Sequence, residues 1–377
     1  MLFMSYFIKL IMCLMLFSIA SVYSNKKPKH NTCSPEESCL PHFECKAVTN
    51  LTSKGFLTQD ERAYLRTKFC KRINYLDHFC CDTESDQNSS LDSRLSSHLP
   101  SVPKCGIYFQ DKITLGENTF IDEYPWYALI QYLKPDNEIE HRCGGSLINK
   151  RFVLTAAHCY RRIPKKWKLS KVRLGEWDQR TNPDCQTIEN EVICNNDHLE
   201  VPVVEVIVHP EYYSLGAAQY NDIALLKLQQ DVEYTAWIKP ICLPLDSRIR
   251  TTDFTSHNLE VAGFGLTETG YASPVKKRVY LDGVAQAQCQ RSYRTIGVRI
   301  FDNQICFGGM DGKDSCNGDS GSPLMKFGKF PHSKFSHYMQ VGLVSFGPKN
   351  CGTDNFPGVY VRLADYMDWI IDNSQLN

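Results

Sequence analysis

The chain has 377 residues and carries 42 Lys plus Arg against 42 Asp plus Glu, so its net charge is zero and no global field draws it to nucleic acid or an anionic membrane. Its length exceeds one typical domain and allows a substantial buried core. Seventeen cysteines are many, and their positions are the first guide to organisation.

Met1 to Lys9 leads into an apolar run from Leu10 to Ala20, followed by the small residues Ser21 and Ser24 and the basic Asn25-Lys26-Lys27. That run is too short and wrongly flanked to span a bilayer. It reads as a secretory leader cleaved after Ser24, with Ala20 and Ser21 as alternative ends. Cys13 falls inside it, which leaves an even set of cysteines, and an even set in a secreted chain reads as a disulfide framework. No CxxC pairs have metal-ligand spacing, and no later stretch is long and apolar enough to span a membrane. Asn50-Leu51-Thr52 and Asn88-Ser89-Ser90 are glycosylation acceptors in such a setting.

A compact block follows: Cys33, Cys39 and Cys45, then Cys70, Cys80 and Cys81. Its interior is too polar to fold on a hydrophobic core, so three internal disulfides are expected to stabilise it, in a pairing that spacing alone does not choose. From Asp82 to Lys104 the composition turns to Ser, Asp, Asn and Pro, which is linker chemistry. From Ile113 onward, short runs rich in Val, Ile, Leu and Tyr alternate with turn residues: 126–133, 152–155, 201–208, 223–228, 259–262 and 340–344. Many short strands with turn signals predict an all-β sandwich or barrel. One helix closes the chain, with Leu363, Tyr366, Met367, Ile370 and Ile371 at helical spacing.

Three segments carry chemistry. Leu154-Thr155-Ala156-Ala157-His158-Cys159 places a histidine just past an apolar strand, where it reads as a buried imidazole or as a general base. Asn221-Asp222-Ile223 puts an acid at the start of another strand, able to fix an imidazole's tautomer. Asp314-Ser315-Cys316-Asn317-Gly318-Asp319-Ser320-Gly321-Ser322-Pro323 is a poor helix or strand and a good tight loop, leaving one hydroxyl beneath clustered backbone N–H groups. The order His158, Asp222, Ser320 is one of the chain orders in which a Ser-His-Asp triad occurs.

On these segments the region from Ile113 to the C-terminus resembles a chymotrypsin-fold (S1 family) serine protease, and the cysteine block before it resembles a CLIP domain, so the whole resembles an arthropod CLIP-domain protease zymogen. The resemblance implies two six-stranded antiparallel β-barrels with a C-terminal helix, preceded by a small disulfide-rich domain. It divides the chain into a signal peptide (1–24), a CLIP domain (33–81), a linker with activation segment (82–112) and a protease domain (113–377). It implies Ser320 as nucleophile, His158 as base and Asp222 as its orienting acid, with the N–H groups of Gly318 and Ser320 as the oxyanion hole. Asp314 falls at the base of the primary pocket, where a carboxylate pairs with substrate Arg or Lys, and Gly347 and Gly358 fall on its walls. Ser345, Phe346 and Gly347 match the edge that pairs with the substrate backbone. Ser322 stands where most relatives carry glycine, and Phe346 where they carry tryptophan.

Activation is implied after Lys112, freeing Ile113 to pair with Asp319; Thr114 and Leu115 depart from the commoner Ile-Val-Gly-Gly start. The implied disulfides are Cys33–Cys80, Cys39–Cys70, Cys45–Cys81, Cys105–Cys242, Cys143–Cys159, Cys185–Cys194, Cys289–Cys306 and Cys316–Cys351. Related proteases hold structural Ca²⁺ on the loop matching Glu176, Asp178, Thr181 and Asp184, with Asp178 and Thr181 offering main-chain carbonyls as an alternative; no cofactor is expected for catalysis. The expectation is a secreted, monomeric haemolymph zymogen that cleaves proteins after Arg or Lys in a melanisation or Toll-type cascade. Its partners are an upstream protease and a serpin-type inhibitor, without nucleic acid or membrane. The rival expectation is a protease-like cofactor that acts by docking.

Overall fold

Short β-prone runs broken by turns dominate the sequence, and strands dominate the structure. The computed structural model describes residues 33–34, 37–41, 45, 48, 59–73, 76–82, 98–101, 104–107, 119–188, 191–267, 270–309, 314–330, 336–348 and 350–376. The leader, Asn50, Asn88 and the Lys112-Ile113 bond lie outside these residues. The chain forms two units, 1–88 and 89–377.

In the first unit, β1 (Glu37–Pro41), α1 (Gln59–Lys68), β2 (Phe69–Ile73) and β3 (Leu76–Asp82) make an antiparallel sheet of order β1-β3-β2 flanked by one helix. Among the described residues its apolar cluster is small: Cys45, Val48, Phe79 and Cys81, with Leu40, Leu65 and Phe69 against it. Disulfides Cys33–Cys80, Cys39–Cys70 and Cys45–Cys81 close separations of 47, 31 and 36 residues. In the chain-entropy account each contributes about 3–4 kcal/mol, which supplies what the core lacks.

The second unit begins with β4 (Tyr127–Leu133), β5 (Ile139–Leu147), β6 (Phe152–Thr155), the single turn α2 (His158–Arg161) and β7 (Lys168–Leu174). The hairpin β8 (Cys185–Ile188) and β9 (Glu191–Cys194) precedes β10 (Leu199–Val208). A second hairpin, β11 (Tyr213–Leu215) and β12 (Ala218–Tyr220), precedes β13 (Ala224–Leu228). Six of these strands close an antiparallel barrel of order β10-β13-β6-β5-β4-β7. After α3 (Ser247–Arg250) come β14 (Asn258–Gly263), β15 (Lys277–Val284), α4 (Gln286–Arg294), β16 (Gln304–Phe307), β17 (Pro323–Gly328), β18 (His337–Phe346) and β19 (Gly358–Arg362). They close a second barrel of order β14-β15-β16-β19-β18-β17.

The chain ends in a 3₁₀ turn, Leu363–Tyr366, and α5 (Met367–Asn373). A single helix was expected across this stretch; its first turn is wound tighter. One apolar cluster runs from barrel one (Trp126, Phe152, Leu154) through Leu343 and Val361 of barrel two to Met367 and Ile370 of α5, so the inter-barrel cleft has a rigid floor. Leu99 joins this cluster and the His98 ring meets the Ile371 carbonyl at 3.0 Å, so this part of the stretch read as linker is packed. Cys105–Cys242, Cys143–Cys159, Cys185–Cys194, Cys289–Cys306 and Cys316–Cys351 staple the unit.

Beneath the cluster, Glu260 is buried, and its Oε2 accepts Tyr124 Oη at 2.7 Å and Tyr338 Oη at 2.9 Å. Burial raises its pKa. Tyr338→Phe leaves this carboxyl short of a donor without changing packing volume. The expected cost is about 1–2 kcal/mol in urea unfolding, and no loss would mean that the Tyr124 hydroxyl suffices.

Candidate active site

β13 pairs with β6 so that Ala224 lies opposite Thr155, which brings Asp222 beside the turn at His158. Asp222 is 0% exposed, and a buried carboxylate must be hydrogen-bonded. Its Oδ1 accepts the His158 backbone N–H at 2.8 Å and its Oδ2 meets His158 Nδ1 at 2.7 Å. Ser345 Oγ, from β18, donates to Oδ2 at 2.6 Å. With Nδ1 held as the donor, Nε2 is left as the basic nitrogen. Asn221, just before the acid, is left-handed (φ 49°), which asparagine tolerates, and its Oδ1 accepts Tyr366 Oη at 2.7 Å and Asn303 Nδ2 at 3.1 Å. Sequence reasoning placed Ser345 on the substrate edge and missed its bond to Asp222. It also missed the Asn221 clamp, for which an asparagine at a strand entry was the available signal.

Ser320 lies on the loop into β17. Gly318 has φ 103°, and a Cβ there would come within 2.9 Å of Gly265 Cα, so only glycine fits. The Ser320 carbonyl accepts Gly144 N–H at 2.8 Å and Gly321 N–H donates to the Val344 carbonyl at 2.9 Å, so the loop is sewn to both barrels. Among the described residues, neither Gly318 nor Ser320 gives its backbone N–H to an acceptor, leaving two adjacent donors open. Nor does the Ser320 hydroxyl bond to His158, a contact that commonly tightens only when substrate binds.

The Asp319 carboxyl sits in a niche left by glycines: a Cβ on Gly263 would lie 2.1 Å, and one on Gly265 2.4 Å, from its oxygens. It accepts N–H groups of Gly265 at 2.9 Å and Cys316 at 3.0 Å, and burial pushes its pKa up to about 6. Ser322 is fully buried with its Oγ 3.2 Å from Tyr127 Oη. The serine is accommodated because Gly144 opposite has no side chain: a Cβ there would meet both oxygens at 2.4 Å.

Asp314 Oδ1 accepts the Ser315 N–H at 2.8 Å and the carboxyl also has a backbone hydrogen bond from Gly352, whereas among the described residues the buried Oδ2 has no partner. Burial pushes this carboxyl up to about 7. A Cβ on Gly358 would lie 2.9 Å from Asp314 Oδ1, and one on Gly347 would lie 3.8 Å from Gly358 Cα, so two bare backbones wall the slot above the acid. Tyr360 Oη and Ser315 Oγ, 2.9 Å apart, lie beside it and were not foreseen. Phe346 packs edge-on against Tyr293 at 5.8 Å.

At the acidic loop, Glu176 and Asp184 are buried neighbours; burial raises the Glu176 pKa against the pairing of its Oε2 with Arg173 at 2.9 Å, the Asp184 charge adding to the rise, and among the described residues Glu176 Oε1 has no hydrogen-bond partner. Asp184 Oδ2 takes the N–H groups of Trp177 and Asp178, so Glu176 Oε1 is the carboxylate oxygen left open to a hard cation. The Asp178 carboxylate is instead taken by Arg180 at 2.8 and 2.6 Å, and Thr181 Oγ1 donates to Asp184 at 2.7 Å, so these two residues fit only through their carbonyls.

The Asp314 shift fixes a stability profile. Its folded pKa lies above the unfolded value of 3.8, so the folded state holds a proton the unfolded chain has released, and stability falls as pH rises from about 4 to about 7. Asp314→Asn is therefore expected to stabilise by more than ~1 kcal/mol at pH 8 and by nothing near pH 4. Denaturant unfolding at the two pH values checks this, and equal stability at pH 8 would overturn it.

A family model described as Trypsin matches residues 113–370. Serine protease ea of Drosophila melanogaster is 41% identical over 342 residues, covering 88% of this chain and 87% of its own length. Melanization protease 1 of the same fly is 38% identical over 369 residues, covering 90% and 92%. Among solved structures, the drosophila Grass clip serine protease of the Toll pathway matches with a TM-score of 0.65 at 29% identity, over 90% of this chain and 96% of that one.

Proposed function

The chain belongs to the trypsin family as a CLIP-domain, trypsin-like serine endopeptidase, and we propose that it is a secreted zymogen, activated by cleavage after Lys112, that cuts proteins after Arg or Lys in an extracellular immune or developmental cascade. The observation that carries the specificity is Asp314: a buried carboxyl oxygen without a partner among the described residues, at the base of a slot walled by Gly347 and Gly358. A guanidinium or ammonium entering the slot supplies the missing partner. The names of relatives that act in melanisation and Toll signalling, and one named Spaetzle-processing enzyme, support the cascade role. Upstream activation by a protease of tryptic preference and inhibition by a serpin-type protein belong to the same reading, as do haemolymph as the site of action and a monomeric state.

Ser320 attacks the carbonyl after Arg or Lys while His158 Nε2 takes its proton, and Asp222 stabilises the imidazolium through Nδ1. The oxyanion is received by the open N–H groups of Gly318 and Ser320. His158 then returns the proton to the leaving amine, and water repeats the cycle on the acyl-enzyme. Before cleavage the Asp319 niche lacks the Ile113 ammonium; once freed, that ammonium offsets the desolvated carboxylate and fixes the oxyanion loop.

The test is cleavage of the full chain after Lys112 and hydrolysis of peptides ending in Arg, Lys, Leu or Phe. Arg and Lys peptides should dominate, and Ser320→Ala should lower turnover by at least ~10³-fold. Turnover equal to the control would sink the enzyme mechanism, and preference for Leu or Phe would remove the role of Asp314.

Calcium at Glu176 and Asp184, with carbonyls of Asp178 and Thr181, would hold the loop shut and takes no part in the reaction. Added calcium should raise the unfolding midpoint of the wild type by a few degrees, roughly what ligand linkage supplies at saturating ion, and leave Glu176→Ala unmoved. Equal responses would exclude the site.

A further inference from the structure

The chain has no net charge, yet between Cys159 and Leu174 it carries seven basic residues and no acidic one. The last two are locally neutralised: Lys171 and Arg173 both pair with Glu200, at 3.1 and 2.8 Å. The others are not. Arg161, Arg162, Lys165, Lys166 and Lys168 are exposed and have no acidic partner among the described residues, and the same holds for Arg142 on β5. In the β4–β5 turn, Glu138 is held by Lys134 at 2.5 Å.

The loop is a fixed surface. Half-buried Trp167 packs on the barrel-one core and on Tyr132 at 6.5 Å, while the Arg142 guanidinium lies over its ring at 5.3 Å. At the other end Arg162 Nη1 donates to the Gly216 carbonyl at 3.2 Å. The patch also begins at the reaction centre. Arg142 directly precedes Cys143 and Arg161 follows Cys159 by two residues, so both lie close in the chain to the Cys143–Cys159 disulfide, and Cys159 Sγ is 3.7 Å from the Ser320 carbonyl. The Asp314 slot and the Ser345–Gly347 edge belong to barrel two, so a substrate anchored there leaves the nucleophile across this disulfide, toward barrel one.

We infer that the basic face formed by Arg142 and the Arg161–Lys168 loop is a docking surface for an acidic segment of the protein substrate on the leaving-group side of the scissile bond. This rests on the endopeptidase reading above. Unpaired cations on a rigid loop cost a free enzyme self-repulsion and supply steering and selectivity toward a carboxylate-rich partner. A short peptide that ends at the scissile bond does not reach the face.

Two long peptides with the same Arg scissile sequence, one followed by a glutamate-rich tail and one by an alanine-rich tail, separate the possibilities. With enzyme cleaved after Lys112, the acidic-tailed peptide should have the higher kcat/KM by about tenfold at low salt, shrinking toward parity at ~0.5 M salt. In Lys165→Glu/Lys166→Glu/Lys168→Glu the ratio should fall to one or below. The ratio is internal to each preparation, so partial misfolding does not imitate the effect. Equal rates for the two tails in the wild type, or a ratio unmoved by the triple reversal, overturn the proposal. So does salt-sensitive retention on a sulfated polysaccharide, lost in the variant, with no discrimination between tails. Failure to cleave either peptide indicts the endopeptidase reading instead.

Discussion

The site depends on keeping one charge out of water. Asp222 is fully buried, and an isolated carboxylate there would lose its hydration with nothing to replace it. It stays useful because its donors come from both barrels: His158 from the turn after β6 and Ser345 from β18. The cleft between the barrels is therefore held in register by the group that orients the base. Packing of Met367 and Ile370 into the same cluster, and Tyr366 on Asn221, extends that register to the C-terminal helix.

Around this satisfied acid lie groups that are left incomplete. Among the described residues, Asp314 has an oxygen without a partner, Asp319 is desolvated with only backbone donors, and the N–H groups of Gly318 and Ser320 have no acceptor. Each omission costs stability, and each leaves a place for complementary charge: a cation at Asp314, an ammonium at Asp319, an oxyanion at the two N–H groups. Glycine makes the three sites physically available. Gly358, Gly263 with Gly265, and Gly318 each stand where a Cβ would occupy the needed space or force an unfavourable φ.

The triad segments were legible because each has a local signature that survives without tertiary information. The barrels were legible in class but only partly in detail. Strands β4, β6, β10, β13, β14 and β18 are apolar enough to announce themselves. By contrast β5 reads IEHRCGGSL and β15 KRVYLDGV, with charges and glycines that deny them a period-two pattern. Contacts between distant segments were illegible for a different reason. Nothing local ties Ser345 to Asp222, or Tyr360 to Ser315, and only barrel closure brings them together. Ser322 is intermediate: its departure was visible, but the Tyr127 hydroxyl and the bare Gly144 that accommodate it were not.

Net charge was the least informative quantity, for a physical reason. Screening at physiological ionic strength confines a charge's influence to about 8 Å, so a partner meets local clusters and not the sum over the chain. Here Glu200 gathers Lys171 and Arg173, while the cations of the loop just before them have no acidic partner among the described residues. A neutral total thus conceals two differently charged approaches to one nucleophile: a carboxyl at the bottom of the slot on barrel two, and a cationic rim on barrel one. A polypeptide with a basic residue before the scissile bond and acidic residues after it would meet complementary charge on both sides.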